Sequence, residues 1–251
     1  MKNTPFIAVT SQPVPYHADT TAIFNTLCQQ NSNSLLLDSA EIGSKNSLQS
    51  LILINAAVKI TCLGNQVTFR ALNANVKQVL KEIHPVLSQL GTVSAINFEN
   101  EFSVQFAPLD NQLDEDSKLQ AATIFDGLRV ISNHYQHSST PVFLGGLFAY
   151  DLVANFIPMQ GVELKDDGIN CPDYSFYLAE NLITIDHQSQ QATLKSFCFS
   201  QEEQVEVAKT ALSIAQKLKN IDGVFSIKAA SDEVSTNFED PEFTGIVKAL
   251  K

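Results

Sequence analysis

The sequence predicts an α+β fold in which antiparallel sheets carry helices on their outer faces. Three short apolar runs between residues 51 and 72 are typical of a strand meander, and Gly64-Asn65 provides a two-residue hairpin turn. Several longer segments instead repeat apolar residues every three or four positions, as amphipathic helices do. Strands and helices do not alternate regularly, which disfavours a parallel βαβ sheet.

The first half of the chain is predicted to contain most of the sheet. Asp19 begins a capped helix that continues to Leu27, and a short buried strand over 34–37 ends at the polar pair Asp38 and Ser39. An apolar stripe from Val76 to Leu87 predicts a second helix. The predicted strands that complete this half lie at 51–55, 58–63 and 66–72, followed by a strand pair within 98–106.

The second half is predicted to contain two long helices, at 113–131 and 202–218, a strand-like apolar run around Gly145 and Gly146, and further strands at 174–179, 182–187 and 191–200. Residues 187–190 connect the last two strands as a hairpin. We expect the second helix to bury the stripe Val205, Ala208, Leu212, Ala215 and Leu218. The adjacent glycines Gly145 and Gly146 interrupt an apolar strand, which tight packing explains and a ligand close to the backbone would also explain.

The C-terminal segment begins as a helix and stops within its pattern. Residues 221–240 are polar and punctuated, as in a linker, and Asp240-Pro241 then starts a helix. Its apolar stripe consists of Phe243, Ile246, Val247 and Leu250. The chain stops at Lys251 without a capping glycine, so we expect the natural protein to continue, the alternative being a terminal helix that docks on the core.

Composition excludes several classes of function. The formal net charge is −11, which disfavours nucleic acid and anionic membrane surfaces as partners because both attract basic faces. No apolar run approaches the roughly 20 residues that span a bilayer, and the N-terminal segment lacks the pattern of a signal peptide. The four cysteines form no CxxC pair and lie in apolar stretches, so buried, reduced thiols and a cytoplasmic location are expected.

Local motifs do not assemble a catalytic site. The acidic run 114–116 lies at a predicted helix start, where capping is favoured over a metal cluster. His134 and His137 lie three residues apart and form at most a partial metal site, with a solvent-exposed pair as the favoured interpretation. Arg129 follows Asp126 by one helical turn, so we expect an ion pair, with binding of a ligand anion as the alternative.

Four stretches together carry a family resemblance. They are SLLLDSAEIGSKNSLQSLIL (34–53), LDEDSKLQAATIFDGLRVI (113–131), FLGGLFAYDLVANF (143–156) and CPDYSFYLAENLITIDHQ (171–188). In order and spacing the chain resembles the N-terminal half of the anthranilate synthase component I family. The resemblance implies a place in that family's larger β-sandwich. It also implies an N-terminal region at 1–220, a linker at 221–240, and the start of a truncated chorismate-binding catalytic domain at 241–251.

The resemblance implies a lyase of tryptophan biosynthesis that converts chorismate and ammonia to anthranilate and pyruvate. Mg²⁺ would assist at the substrate carboxylate, and a partner glutamine amidotransferase subunit (component II) would supply ammonia from glutamine. The family's metal ligands and catalytic residues lie beyond this chain, so we assign no catalytic residue here and expect the chain alone to be inactive. The alternatives are a stand-alone amino-acid-binding regulatory module and a related aminodeoxychorismate or isochorismate synthase.

One family site falls within the chain. The resemblance places the pocket for L-tryptophan, the feedback inhibitor, at Asp38 and Ser39, within a Leu-Leu-Asp-Ser strand end. A carboxylate there suits the ammonium group of an amino acid. A strand terminus whose polar residues cap a turn is the alternative. Asp38 stands where the family usually has Glu, and Gln49 stands where some members have Lys, so the strength of inhibition is left open.

Overall fold

The structure, a computed structural model, describes residues 5–29, 31–38, 48–97, 100–108, 110, 112–136, 138, 140–157, 171–221 and 240–249. Its strands are β1 (Ala8–Val14), β2 (Leu35–Asp38), β3 (Gln49–Leu63), β4 (Gln66–Ala71), β5 (Thr92–Asn97), β6 (Glu101–Gln105), β7 (Leu144–Phe148), β8 (Tyr174–Asp186) and β9 (Gln191–Cys198). Its α-helices are α1 (Thr20–Cys28), α2 (Lys77–Leu87), α3 (Glu115–Gln120), α4 (Asp126–His134), α5 (Gln204–Lys219) and α6 (Asp240–Ala249).

These strands form one antiparallel sheet in the order β1-β9-β8-β3-β4-β6-β5, with β2 added to β3 and β7 added to β8. The two longest strands, β3 and β8, pair along nearly their whole length and form the centre of the sheet. The register between them shifts around Asn55, so the sheet is irregular at that point. The antiparallel α+β prediction is confirmed.

Helices cover the sheet in two groups, each with its own apolar core. Helices α2 and α4 pack over the end of the sheet that contains β4 and β6, around fully buried side chains such as Phe69, Phe102 and Leu80. Helices α1 and α5 form the second group, in which α1 packs against β2 and β3 and α5 packs against β1 and β9, around Ile52 and Ile183. Burial of apolar surface in these two cores is the main force that holds the helices in place.

Two predicted strand breaks are wrong. The runs 51–55 and 58–63 are one strand, β3, and the runs 174–179 and 182–187 are one strand, β8. Asn181 lies between the two predicted runs of the second strand. In the structure Asn181 is fully buried, and its side-chain oxygen accepts a hydrogen bond from Ser196 Oγ at 2.7 Å. A buried polar group with a partner does not need to end a strand.

The single helix predicted over 113–131 is also wrong, because the segment divides into α3 and α4. Asp114 caps α3 by accepting from the Ser117 backbone N–H at 2.9 Å. Ala121 is extended, and Asp126, the first residue of α4, accepts from the Thr123 backbone N–H at 2.7 Å. This arrangement supports capping as the role of Asp114, and its backbone hydrogen bond with Ser117 lowers the pKa of the carboxyl.

Smaller differences concern which positions are buried or paired. Helix α5 buries Val207, Ala211, Ile214 and Leu218, so Leu218 of the predicted stripe is buried as expected and Ala215 is partly buried against the same core, whereas the rest of the stripe is exposed. The first strand of the pair expected within 98–106 lies earlier, as β5. All four cysteines are free as predicted, although Cys171 is exposed. Residues 222–239, 250 and 251, which include most of the predicted linker, lie outside the described residues.

The tight-packing explanation of Gly146 is supported. A Cβ atom built on Gly146 would lie only 2.6 Å from Phe176 Cα on the neighbouring strand β8, a distance that real Cβ atoms essentially never show. Past this point, Leu147, Phe148 and Ile157 are exposed apolar side chains. Helix α6 likewise exposes its apolar stripe at 243, 246 and 247.

Candidate functional site

Asp38 is the last residue of β2 and lies where three strands meet. The β2–β3 register places Asp38 opposite Ser50, near the start of β3. The β3–β8 register places Gln49 opposite Asp186, the last residue of β8, and the His187 N–H donates to the Leu48 carbonyl at 2.9 Å. The end of β2, the start of β3 and the residue after β8 are therefore neighbours. Ser39, the other predicted effector residue, lies outside the described residues.

The Asp38 carboxylate is held by hydroxyl groups from two other elements. Thr20, at the start of α1, donates from Oγ1 to Asp38 Oδ2 at 3.2 Å, and Ser50 donates from Oγ to Asp38 Oδ1. Both donor residues are buried, whereas Asp38 itself is exposed. The carboxylate is therefore fixed from the protein side and remains accessible from the solvent side.

A histidine and a tyrosine extend this arrangement beyond Ser50. His187 Nε2 lies 2.8 Å from Ser50 Oγ, and Tyr16 OH lies 3.2 Å from His187 Nδ1. The Tyr16 and His187 rings meet edge to face with centroids 5.8 Å apart. We refer to Tyr16, His187, Ser50 and Asp38 as the Asp38 network.

The sequence interpretation found Asp38 but missed the other three members of the Asp38 network. Tyr16 precedes α1, Ser50 lies within an apolar strand, and His187 belongs to a predicted hairpin connection, so none of them stands in a local motif. The signal that could have found Ser50 and His187 is the pairing of β3 with β8, which brings the start of one strand to the end of the other. That pairing joins segments far apart in the sequence.

The chemistry of the Asp38 network suits a cation. An ionised carboxylate only accepts hydrogen bonds, and its two oxygens have about four lone-pair positions. Thr20 and Ser50 occupy one position on each oxygen, which leaves acceptor capacity on the exposed side. An ammonium group placed there would form charge-assisted hydrogen bonds with a preorganised partner.

A second polar cluster lies inside the protein around Glu180 in β8. The carboxyl accepts from Asn73 Nδ2 at 2.8 Å and from Asn75 Nδ2 at 2.9 Å. Burial raises the pKa of Glu180, while the two amide donors act in the opposite direction. Because Glu180 and Asn75 are both buried, this cluster has a structural role in joining β8 to the segment before α2.

The other residues that the sequence singled out are paired within the protein. Arg129 Nη1 lies 3.1 Å from Asp126 Oδ1, which confirms the predicted ion pair. His134 Nε2 lies 2.9 Å from Glu82 Oε2 and links α4 to α2, while His137 lies outside the described residues. No group of three His, Cys, Asp or Glu side chains suited to a metal ion occurs within the described ranges.

An open cleft of about 350 Å³ lies between α1 and α5. Its lining combines apolar residues such as Leu27 and Ile54 with Lys209 and Lys217. Lys209 also forms an ion pair with Glu206 at 2.6 Å. The cleft contains none of the residues of the Asp38 network.

None of the helices in the described ranges combines the length and the apolar character needed to cross a membrane.

Comparisons with known proteins identify similar sequences along the whole chain. A family model described as chorismate binding enzyme matches residues 79–251. The chain is 85% identical over 246 residues to anthranilate synthase component 1 of Haemophilus influenzae, which covers 98% of this chain and 48% of that protein. It is 40% identical over 261 residues to the Vibrio cholerae protein of the same name, covering 100% of this chain and 48% of the relative.

Other proteins of the same name match at lower identity. Anthranilate synthase component 1 of Escherichia coli is 34% identical over 242 residues, which cover 94% of this chain and 46% of that protein. The chain thus spans about half the length of the curated relatives it matches. A solved structure of a 2,3-dihydroxybenzoate-specific isochorismate synthase from Bacillus anthracis aligns with a TM-score of 0.43 and 12% identity, covering 87% of this chain and 68% of that one.

Proposed function

The chain belongs to the chorismate binding enzyme family, and we propose from this premise that it is the N-terminal part of an anthranilate synthase component I. The observation that carries the proposal is the 85% identity to the Haemophilus influenzae protein over nearly the whole chain. At this level of identity the two proteins are expected to share a substrate. The complete protein would be a cytoplasmic lyase of tryptophan biosynthesis.

The proposed reaction converts chorismate and ammonia to anthranilate and pyruvate. Bound Mg²⁺ would supply Lewis-acid stabilisation of negative charge on the substrate. Its ligands and the catalytic acid and base would come from the half of the protein that follows this chain. A partner glutamine amidotransferase would deliver ammonia.

Exposed apolar residues support a covering role for that second half. Leu147 and Phe148 at the end of β7 are 58% and 51% exposed, and Phe243 in α6 is 58% exposed. Exposed apolar side chains of this size suit surfaces that another element or partner covers. In the longer protein, the following half would bury them.

Within this chain, the proposed role of Asp38 and Ser39 is to bind L-tryptophan as a feedback inhibitor. The support from structure is the exposed Asp38 carboxylate, which Thr20 and Ser50 hold in place and which has free acceptor capacity. It would bind the ammonium group of the amino acid. Ser39 would add a hydroxyl group that can donate or accept beside it.

The test of the catalytic proposal joins this chain to the C-terminal half of the Haemophilus influenzae relative. In the presence of Mg²⁺, the fusion should form anthranilate from chorismate and ammonium, whereas the 251-residue chain alone should not. Anthranilate is detected by its fluorescence. Anthranilate formation by the chain alone would contradict the proposal that the catalytic residues lie in the following half. A folded fusion that makes aminodeoxychorismate or isochorismate instead would favour the alternative chorismate enzymes.

The test of the effector site uses the same fusion. Asp38→Ala and Ser39→Ala should each raise the tryptophan concentration for half-inhibition by about one to two orders of magnitude, since a charge-assisted hydrogen bond contributes about 1.5–3 kcal/mol. Inhibition is expressed relative to the uninhibited rate of each variant, so changes in turnover do not enter the comparison. Unchanged inhibition in both variants would return these residues to a turn-capping role.

A further inference from the structure

We propose that Tyr16, His187 and Ser50 are positioning residues that form a directional series of hydrogen bonds ending on the Asp38 carboxylate. This series determines that the Ser50 hydroxyl donates to Asp38 and thereby keeps the carboxylate oriented for an ammonium group. The inference rests on the proposed effector site for the identity of the ligand. The direction of the hydrogen bonds at Ser50 follows from the geometry alone, and the direction at Tyr16 follows for a neutral imidazole.

The direction is determined at Ser50. A carboxylate offers no proton, so the contact between Ser50 Oγ and Asp38 Oδ1 uses the single hydroxyl proton of Ser50. The contact between Ser50 Oγ and His187 Nε2, 2.8 Å long, then needs its proton from the histidine. His187 therefore carries a proton on Nε2.

Tyr16 completes the series from the other side of the ring. In a neutral imidazole with its proton on Nε2, Nδ1 is an acceptor, and the Tyr16 hydroxyl 3.2 Å away donates to it. Protons thus run in one direction, from Tyr16 to His187, from His187 to Ser50 and from Ser50 to Asp38. Tyr16 does not contact Asp38, but its hydrogen bond to Nδ1 stabilises the tautomer of His187 that is protonated on Nε2.

Neighbouring groups do not compete for the same bonds. The carboxylate of Asp186, next to His187 in sequence, accepts instead from the backbone N–H groups of Gln188 and Ser189 at 2.9 and 3.0 Å, within the β8–β9 turn. Thr20 contacts the other oxygen of Asp38, Oδ2, and so leaves the Ser50 contact undisturbed. The two hydroxyl donors therefore hold the carboxylate by both oxygens.

The opposite tautomer would disturb the site. With a proton on Nδ1, His187 Nε2 would become an acceptor and would take the Ser50 proton away from Asp38. Ser50 would then present a lone pair to a carboxylate oxygen, an unfavourable contact in a buried position. Loss of the Tyr16 hydroxyl should therefore weaken the orientation of Asp38, although His187 and Ser50 lie between the two residues.

The first experiment reads the tautomer directly, in the 251-residue protein labelled with ¹⁵N-histidine. Long-range ¹H–¹⁵N correlation spectra distinguish protonated from unprotonated ring nitrogens, and loss of one set of signals in His187→Gln assigns His187. We expect an Nε2–H tautomer in the wild type and a population of the Nδ1–H tautomer in Tyr16→Phe. Tyr150→Phe, at a side chain that is 90% exposed, is the matched control and should leave the His187 signals unchanged. An Nδ1–H tautomer in the wild type would overturn the proposal.

The second experiment measures inhibition by L-tryptophan in the fusion described above. Ser50→Ala should raise the half-inhibitory concentration about tenfold, and Tyr16→Phe should raise it about two- to fivefold. Ser103→Ala, which removes a hydroxyl from the Thr68–Ser103 pair on β4 and β6, is the matched control and should leave inhibition unchanged.

The outcomes separate this inference from the proposed function. If Asp38→Ala relieves inhibition while Ser50→Ala and Tyr16→Phe do not, the effector site stands and the positioning role is refuted. If Asp38→Ala leaves inhibition intact, the effector site itself is refuted, whatever the tautomer of His187. Relief of inhibition by all three substitutions, with the expected tautomer in the wild type, supports both.

Discussion

Replacement of Asn75 by alanine should destabilise the fold strongly, because this buried side chain satisfies three groups at once. Its Nδ2 donates to Glu180 Oε2 at 2.9 Å and to the Phe197 carbonyl at 3.0 Å, and its Oδ1 accepts from the Phe199 N–H at 2.7 Å. Alanine would leave the Phe199 N–H without this partner in the interior, which costs about 1–3 kcal/mol. The Phe197 carbonyl also loses a donor, at a smaller cost, so we expect the free energy of unfolding to fall by about 2–4 kcal/mol in total.

The assay is urea unfolding at neutral pH, followed by circular dichroism at 222 nm because the chain contains no tryptophan. Asn73→Ala is the matched control, since Asn73 donates to the same Glu180 oxygen at 2.8 Å. Its own Oδ1 is buried without a hydrogen-bond partner among the described residues, so alanine also removes an unsatisfied acceptor. We expect the control to lose less than about 1 kcal/mol. If the two variants lose the same free energy of unfolding, with the same dependence of that energy on urea concentration as the wild type, the reasoning is refuted.

Three further predictions concern the same fold. Because burial raises the pKa of Glu180, the wild type should lose stability as pH rises from the ordinary glutamate pKa through the raised one, and Glu180→Gln should flatten this part of the urea-midpoint profile. Gly146→Ala should cost about 1–3 kcal/mol in thermal unfolding, whereas Gly245→Ala, in open space within α6, should be neutral or stabilising; equal effects would contradict the packing argument. Thiol titration of the native protein should find Cys171 fast and Cys62 protected, since burial raises the pKa of the Cys62 thiol to about 12, and rapid labelling of both would contradict the structure.

Local sequence signals predicted those parts of the fold that depend on local chemistry. Asp19 caps α1 by accepting from the Ala22 N–H at 2.8 Å, and the hairpin turn at Gly64, where φ is +57°, follows from the Gly-Asn pair. The apolar stripe of α2 is also correct. In each of these cases the determining contacts lie within a few residues along the chain.

The errors arise where tertiary contacts override the local pattern. The predicted break in β8 is bridged at Asn181, whose buried side chain accepts a hydrogen bond from Ser196 on the paired strand β9. The predicted stripe of α5 began at Val205, whereas the sheet beneath the helix selects Val207 and the residues in phase with it. Asp38 was singled out through the family resemblance of its strand end, whereas Ser50 and His187, which the pairing of β3 with β8 brings together, stand in no local motif.

The pairing of β3 with β8 has a consequence for how the protein is made. Leu53 and Leu182 are register partners although about 130 residues separate them, so contacts of long range in sequence build the centre of the sheet. At a synthesis rate of about 5–20 residues per second, β8 leaves the ribosome on the order of 10 s after β3. Strand β3 can pair earlier with β2 and β4, but one edge stays open over most of its length. Newly made chains should therefore need protection by chaperones during this interval, and nascent chains arrested before residue 186 should be the most prone to aggregate.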